Sequence, residues 1–186
     1  LAARARMVPF AGYEMPVQYS GVLEEAKTVR SQMGLFDVSH MGQVSIRGKD
    51  VVRKVNALVT NDLTRVALGQ AQYSMLLNPS GGVIDDIILY RRAEEEIFIC
   101  VNASNRKTDF AWFQDHLKDG LTLEDQSDDL SLLALQGPLA EQTLAACSDS
   151  NKVKNLQYYW AVETKVFGIP CYLSRTGYTG EDGFEI

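Results

Sequence analysis

Residues 78–90 constrain the fold most, because a turn sequence there leads into a run of strand-forming residues. Asn-Pro-Ser-Gly-Gly at 78–82 supplies residues that tolerate a tight or positive-φ backbone. The β-branched and aliphatic run that follows predicts a strand, and residues 72–77 before the turn predict its partner. We therefore expect an antiparallel hairpin.

Two adjacent aspartates, Asp85 and Asp86, interrupt the second strand of this hairpin. Neighbouring strand residues face opposite sides, so one carboxylate can face water while the other points inward. An inward carboxylate costs several kcal/mol of desolvation unless a partner compensates it. Two interpretations stay open: an edge strand with solvated or backbone-capping acids, or a functional carboxylate.

The remaining segments mix helix and strand patterns without a regular βαβ repeat. This mixture, with an antiparallel hairpin, predicts an α+β fold of mixed or antiparallel sheets with packed helices. Helices are predicted over residues 20–33, 49–59, 107–117 and 138–147. The first is expected to have Ser20 as its N-cap and Gly34 as its C-cap, and the third is expected to be capped by Ser104. The glycine-rich segment 175–185 predicts a rigid, close-packed loop that matches neither phosphate-binding glycine signature.

Composition excludes several classes of function. A net charge of −6 argues against non-specific nucleic-acid binding, and no apolar run approaches the ~20 residues of a membrane span. Three scattered cysteines and two distant histidines indicate neither a disulfide framework nor a metal site. The chain starts at Leu1 without Met and stops at Ile186, where an apolar run begins, so we expect a piece of a longer chain.

Asp37, Ser39 and His40 lie close together, and two interpretations of this group stay open. His40 could act as a general base, which would require the right geometry around it. Alternatively, Asp37 and Ser39 bond the local backbone, as such residues commonly do in turns.

Six motifs in order together resemble one known family, the T-protein (aminomethyltransferase) family of the glycine cleavage system. The resemblance covers essentially the whole chain and corresponds to the N-terminal half of the family's longer proteins. The motifs are Phe-Ala-Gly-Tyr-Glu-Met-Pro at 10–16, Phe-Asp-Val-Ser-His-Met-Gly at 36–42, Thr-Asn-Asp at 60–62, Gly-Gly-Val-Ile-Asp-Asp at 81–86, Gln-Gly-Pro at 136–138, and Ser-Arg-Thr-Gly-Tyr-Thr-Gly-Glu-Asp-Gly at 174–183.

The resemblance implies a reaction, a co-substrate and a partner. The one-carbon unit of an aminomethyl group on the lipoyl arm of the H-protein would pass to tetrahydrofolate, with release of ammonia and without a metal. It also implies the folate-binding T-protein fold without its C-terminal β domain. Within it, residues 42–128 are expected to form an inserted α+β subdomain, and 1–41 with 129–186 the other part.

The resemblance also assigns roles to single residues. Asp86 matches the key aspartate beside the reacting folate nitrogens, where it would act as an electrostatic stabiliser or as a base. The resemblance therefore predicts that Asp86 is the inward carboxylate and that Asp85 is structural or solvated. Glu185 matches a carboxylate that grips the pterin edge, and Asn102 a hydrogen-bonding partner of the same ring. The further residues expected to line the folate cavity are Met41, Tyr73, Tyr90, Val101, Tyr158 and Tyr178.

Three alternatives accompany this interpretation. One is a non-catalytic folate-binding paralogue, whose lysine-glycine-cysteine motif is replaced here by Arg175-Thr176-Gly177. Another is the folate-dependent half of a sarcosine- or dimethylglycine-oxidising enzyme, and the third is a plain interaction module. The T-protein interpretation places the protein in the cytoplasm if it is bacterial and in the mitochondrial matrix if it is eukaryotic.

Overall fold

The computed structural model describes residues 4–118 and 120–186. Among them are the strands β1 (Arg6–Phe10), β2 (Tyr13–Gln18), β3 (Gly34–Asp37), β4 (Gly42–Arg47), β5 (Ala71–Leu77), β6 (Val83–Ala93), β7 (Glu96–Val101), β8 (Thr122–Asp125), β9 (Leu133–Gln136), β10 (Ala161–Val166), β11 (Ile169–Ser174) and β12 (Gly183–Glu185). The helices are α1 (Val22–Ser31), α2 (Val51–Asn56), α3 (Arg106–His116), α4 (Ala140–Cys147) and α5 (Ser150–Asn155), with a 3-10 turn at Leu63–Arg65.

The chain divides into two compact units, each described by itself below. Unit 1 comprises the described residues of Leu1–Val38 together with Leu132–Ile186, and unit 2 comprises Ser39–Ser131. Antiparallel sheets with a few helices make up both units, which confirms the predicted α+β class. The subdomain limits given above as 42–128 stay a prediction about the family's architecture.

Unit 2 is built on a five-stranded sheet in the order β5-β6-β7-β4-β8. The predicted hairpin is confirmed: β5 and β6 pair antiparallel, with Ala71 opposite Tyr90 and Leu76 opposite Asp85. Alternate residues of β6 carry the core, because Ile87 and Leu89 are fully buried. Side chains from α2 and α3, among them Val55 and Phe113, complete this core.

Unit 1 contains the two-stranded sheet β1-β2 and a five-stranded sheet in the order β10-β11-β12-β9-β3. The central strand β12 has only three residues, and all of them are buried. Phe184 from this strand joins Leu135, Leu144 and Leu173 in the core of the unit. Glu185 is the last residue of this strand, so the strand carries its carboxylate into the buried part of the unit.

The predicted caps of the first helix were wrong. Helix α1 ends at Ser31, and Gly34 opens strand β3. The Ser20 side chain does not cap it; instead the carboxylate of Glu25 accepts the backbone N–H groups of Tyr19, Ser20 and Gly21 at 2.7–2.9 Å. These backbone bonds hold the pKa of Glu25 below its usual value. A glutamate in the first turn of α1 thus satisfies the backbone N–H groups of the N-cap residue Gly21 and of the two residues before it.

No helix in the described ranges, 4–118 and 120–186, is long and apolar enough to cross a membrane.

Candidate functional site

The acid pair on β6 has the opposite orientation from the predicted one. Asp85 is the buried member, with 4% of its surface exposed, and Asp86 is exposed. Asp85 shares its face of the sheet with Ile87 and Leu89, which carry the core. The prediction that the two carboxylates face opposite ways is confirmed, but the assignment of Asp86 as the inward one was wrong. The alternation of a strand does not say which face a helix will cover.

Asp85 is compensated by hydrogen bonds from the residues that follow β7. Its Oδ2 accepts the backbone N–H of Asn102 at 3.0 Å. Its Oδ1 accepts the side-chain amides of Asn102 at 2.9 Å and of Asn105 at 2.6 Å. Burial alone would raise the pKa of Asp85, but the bonds it accepts outweigh burial and hold that pKa below its usual value. Asp85 is therefore a charged group inside the fold.

Asp109, in the first turn of α3, is a second buried acid beside Asp85 and is fully inaccessible to solvent. Within the described part of the chain neither of its oxygens accepts a hydrogen bond from a donor group. Burial, together with the adjacent Asp85, raises its pKa to about 8. At neutral pH Asp109 therefore carries a proton, and its hydroxyl can donate to the Asp85 carboxylate.

Asp86 lies on the exposed face of β6 and both of its carboxylate oxygens are held. Tyr73, on the paired strand β5, donates its hydroxyl to Oδ2 at 3.0 Å. The side-chain amide of Asn102 donates to Oδ1 and to the backbone carbonyl of Asp86, each at 3.1 Å. The bond to Asp86 raises the pKa of Tyr73, because it favours the protonated phenol. The predicted residues Tyr73, Asp86 and Asn102 thus form one group on unit 2.

Glu185 in unit 1 is the other predicted carboxylate, and it is buried on β12 with 6% of its surface exposed. The Thr176 hydroxyl donates to its Oε2. Thr176 in turn shares a 2.6 Å hydrogen bond with the hydroxyl of Ser174. A chain of two hydroxyls thus leads to the carboxylate and limits its rotation.

Gln136 holds the glycine-rich loop that precedes Glu185. It is fully buried, donates to the backbone carbonyl of Thr176 at 3.1 Å, and accepts the hydroxyl of Thr179 at 2.9 Å. A Cβ added at Gly177 would lie 2.0 Å from its Oε1, and one added at Gly183 would lie 2.4 Å from the Leu135 carbonyl oxygen. The prediction of a close-packed loop is confirmed, because these two glycines leave no room for a side chain.

Arg175 in the same loop is neutralised within unit 1. Its guanidinium pairs with Asp182 and, at 2.9 Å, with Glu141, and it lies 5.2 Å from the centre of the Phe184 ring. The bond to Arg175 holds the pKa of Asp182 below its usual value. Arg175, Asp182 and the predicted residue Tyr158 line an open surface cavity of about 610 Å³. Glu185 and Tyr178 are not among the lining residues.

The remaining predicted ligand contacts differ in accessibility. Val101 is fully buried in the core of unit 2, and Tyr90 is 5% exposed and packs against Phe98 with ring centres 6.1 Å apart. Met41 is half-buried, whereas Tyr158 and Tyr178 of unit 1 are 64% and 66% exposed. Roles in folate binding stay predictions for all five, and the exposed rings have more surface to offer a ligand.

Asn105, Asp109, Gln136 and Thr176 were not identified from the sequence as site residues. One signal was present: Asp109 lies four residues before Phe113, on the helix face that carries Phe113 and Leu117 into the core. An acid on such a face requires a partner. Among the described residues, no group of three or more histidine, cysteine, aspartate or glutamate side chains is arranged to hold a metal.

The family of this chain follows from its similarity to known protein families. The family model described as GCVT N-terminal domain matches residues 1–186. The chain belongs to this family. The T-protein resemblance seen in the motifs is thereby confirmed, and all of the groups described above fall inside the matched region.

Curated relatives within this family are named aminomethyltransferases. The chain is 49% identical over 185 residues to one from Desulfitobacterium hafniense (strain DSM 10664 / DCB-2), covering 99% of this chain and 50% of the relative. It is 48% identical over 183 residues to one from Chloroherpeton thalassium (strain ATCC 35110 / GB-78), covering 98% and 50%. The chain thus spans about half the length of the curated relatives it matches, and its family is one of transferases.

Solved structures agree with the α+β assignment. The crystal structure of glycine cleavage system aminomethyltransferase T from Bartonella henselae superimposes with a TM-score of 0.87 at 35% identity, over 99% of this chain and 50% of that one. A heterotetrameric sarcosine oxidase from Corynebacterium sp. U-96 gives a TM-score of 0.61 at 18% identity, over 86% of this chain and 79% of that one. The second likeness shows a shared fold alone.

Proposed function

We propose that this chain is the folate-binding portion of a glycine cleavage aminomethyltransferase. The one-carbon unit of an aminomethyl group on the lipoyl arm of the H-protein passes to a nitrogen of tetrahydrofolate. Ammonia and the reduced lipoyl arm leave, and 5,10-methylenetetrahydrofolate is the third product. Tetrahydrofolate is a co-substrate here, and the proposed partner is the lipoylated H-protein.

The observation that carries the proposal is the exposed carboxylate of Asp86 in a chain whose relatives are aminomethyltransferases. Tyr73 and Asn102 hold one oxygen each, at 3.0 and 3.1 Å, so the carboxylate has a fixed direction while remaining accessible. Transfer of a one-carbon unit through an iminium-like species develops positive charge. A fixed negative charge stabilises such a species without having to reorganise during the reaction.

Asp86 can also accept the proton that the attacking folate nitrogen loses. In that role the Asp86 carboxylate must lie within about 3 Å of the nitrogen. The Tyr73 hydroxyl donates to Oδ2 of Asp86 and keeps the carboxylate from rotating away. Both roles use the same accessible side chain, and the Asp86→Asn substitution removes both.

Glu185 is proposed to recognise the pterin. Two adjacent N–H donors on the ring edge match the paired oxygens of a carboxylate. Glu185 is buried and bonded to Thr176, so it offers a preset acceptor. The exposed rings of Tyr158 and Tyr178 supply apolar surface of the kind a flat heterocycle stacks on. Because the aminomethyltransferases named above come from bacteria, the proposed location is the bacterial cytoplasm.

The test is a calorimetric titration of tetrahydrofolate, first into this chain and then into the protein at the full length its gene encodes. Asp86→Asn is measured in parallel, and so is the control Asp128→Asn, which removes a carboxylate of unit 2 that pairs with Arg106 at 2.8 Å. We expect Asp86→Asn to weaken binding several-fold and to abolish one-carbon transfer from aminomethylated H-protein. Absence of folate binding by the full-length protein would overturn the proposal.

A second outcome separates the alternatives. If the full-length wild-type protein binds folate but releases no ammonia from aminomethylated H-protein, the non-catalytic paralogue is the better interpretation. Formation of formaldehyde from sarcosine in the presence of an electron acceptor would instead favour the sarcosine-oxidising class.

A further inference from the structure

The carboxylate of Asp85 accepts three hydrogen bonds and that of Asp86 accepts two, although only Asp86 is accessible. Three donors reach it from two residues, the backbone and side-chain N–H groups of Asn102 and the side-chain amide of Asn105. Continuing the β6–β7 register beyond its Ile88–Cys100 pair sets Asn102 directly opposite Asp86. Asn102 therefore bonds Asp85 on the buried face of β6 and Asp86 on its exposed face.

The two carboxylates decide which way the Asn102 amide points. A carboxylate only accepts, so the amide nitrogen must face Asp85 Oδ1 at 2.9 Å and Asp86 Oδ1 at 3.1 Å. The amide oxygen then points away from both acids. Within the described residues that oxygen accepts no hydrogen bond, and Asn102 is only half-buried. The arrangement leaves one oriented acceptor next to Asp86.

We propose that Asp85 is a positioning residue that holds the Asn102 amide nitrogen inward and presents its carbonyl oxygen to an N–H donor of the folate ring. This inference rests on the proposed function, because it names the ligand as a folate. It assigns Asp85 no contact with the ligand. It also gives Asn102 one task toward the ligand, to accept a hydrogen bond, and one task toward Asp86, to donate one.

Asn105 and Asp109 support Asp85 from the helix side. Asn105 precedes α3, and its side-chain amide donates to Asp85 at 2.6 Å instead of capping the helix. Helix α3 therefore has no side-chain N-cap. Asp109 lies one turn further along and is wholly buried, where an ionised neighbour of Asp85 would be strongly repelled. Its proton removes that repulsion. The start of α3 is thereby tied to the strand that carries Asp86.

The experiment compares Asp85→Asn with the control Asp128→Asn in the full-length protein. An asparagine at position 85 places an NH₂ group against the donors of Asn102 and Asn105, so the Asn102 amide loses its fixed orientation. We expect the Kd for tetrahydrofolate to rise about tenfold, a loss of about 1.4 kcal/mol. The double variant Asp85→Asn/Asn102→Ala should bind no more weakly than Asn102→Ala alone, because both changes remove the same acceptor. The proposal would be overturned if Asp85→Asn and Asp128→Asn weakened folate binding equally. It would also be overturned if the loss in the double variant were the sum of the losses in Asp85→Asn and Asn102→Ala.

A readout without ligand separates this inference from the proposed function. The side-chain NH₂ signals of Asn102 in an NMR spectrum should exchange slowly with solvent in the wild type and in Asp128→Asn, and rapidly in Asp85→Asn. If the wild type binds folate and Asp85→Asn binds equally well, the positioning role fails while the proposed function stands. If the wild type binds no folate, the folate part of the inference fails with the proposed function, and the NMR comparison still decides whether Asp85 orients Asn102.

Discussion

Asp86 in unit 2 and Glu185 in unit 1 are both strand carboxylates, and they are held in place by different means. Polar partners fix Asp86, since Tyr73 and Asn102 bond its two oxygens and Asp85 bonds Asn102 in turn. The surroundings of Glu185 are fixed by shape, because glycines in its loop and strand pack directly on Gln136 and on the backbone of β9.

This difference predicts that the surroundings of Asp86 respond to pH, whereas those of Glu185 respond to added side-chain atoms. A site fixed by hydrogen bonds between ionisable groups depends on where the protons are, and therefore on pH. A site fixed by close packing tolerates pH change but no added atom, since close-packed interiors have no spare volume. The following predictions test this contrast, beginning with the largest expected effect.

Gly183→Ala should destabilise the protein most, by about 3 kcal/mol. The new Cβ would lie 2.4 Å from the Leu135 carbonyl oxygen and 2.8 Å from the Gln136 Cα, and neither backbone atom can move aside. Urea unfolding measures the loss. Gly168→Ala is the matched control in unit 1: its φ is +80° but no atom lies within 4 Å of the added Cβ. The control should cost only about 1 kcal/mol of backbone strain, and equal losses would break the contrast.

Asp109→Asn should remove a pH dependence of stability. The folded protein binds the Asp109 proton up to pH about 8, whereas the unfolded chain releases it near the ordinary value of 3.8. The native state thus holds more protons between these values, and stability falls as pH rises, by at most about 1.4 kcal/mol per pH unit. Asp85 has a lowered pKa and titrates below this window.

We therefore expect the wild type to lose about 2 kcal/mol relative to Asp109→Asn between pH 5.5 and 7.5. Unfolding midpoints in urea at several pH values measure the difference. Gly183→Ala should keep the slope of the wild type, because packing carries no proton. Parallel curves for the wild type and Asp109→Asn would show that Asp109 is ionised when folded.

Thr176→Val should cost about 1.5 kcal/mol, because it leaves the buried Glu185 carboxylate without the hydroxyl that donates to it. The 2.6 Å hydrogen bond between the Thr176 and Ser174 hydroxyls is lost as well. Thermal or urea unfolding measures the change. The control is Thr164→Val, at another buried threonine of unit 1, which lies in β10 and is 8% exposed. A loss no larger than that of the control would show that the hydroxyl chain does not stabilise Glu185.

Tyr73→Phe should change stability least, by about 0.5 kcal/mol or less, because Tyr73 is 40% exposed. The larger effect should be on activity. Without the Tyr73 hydroxyl, Oδ2 of Asp86 loses the donor that fixes it, and one-carbon transfer should slow several-fold. A spectroscopic titration provides a check on the contact itself. Asp86→Asn should bring the pKa of Tyr73 back down toward its usual value, as followed by ultraviolet absorbance. An unchanged tyrosine titration would contradict the bond.

Local patterns predicted the elements, and tertiary contacts decided the site. Turn residues and the β-branched run were sufficient for the hairpin, and alternation was sufficient to separate the two aspartates onto opposite faces. Neither pattern contains the position of α3, whose Phe113 and Leu117 pack in the core on the face that buries Asp85. For that reason the sequence patterns could not predict which of the two aspartates, Asp85 or Asp86, is buried.

The sequence by itself determined the fold class, the hairpin, the family and the small set of carboxylates and aromatics on which the proposed function depends. Only the tertiary structure decided that Asp85 is the buried acid, that Asn102 joins both aspartates, and that Asp109 lies beside them with its pKa raised to about 8. The physical reason is that turn chemistry and strand alternation act between neighbours along the chain. Desolvation and carboxylate pairing depend instead on residues about 16–24 positions apart, which only packing brings together.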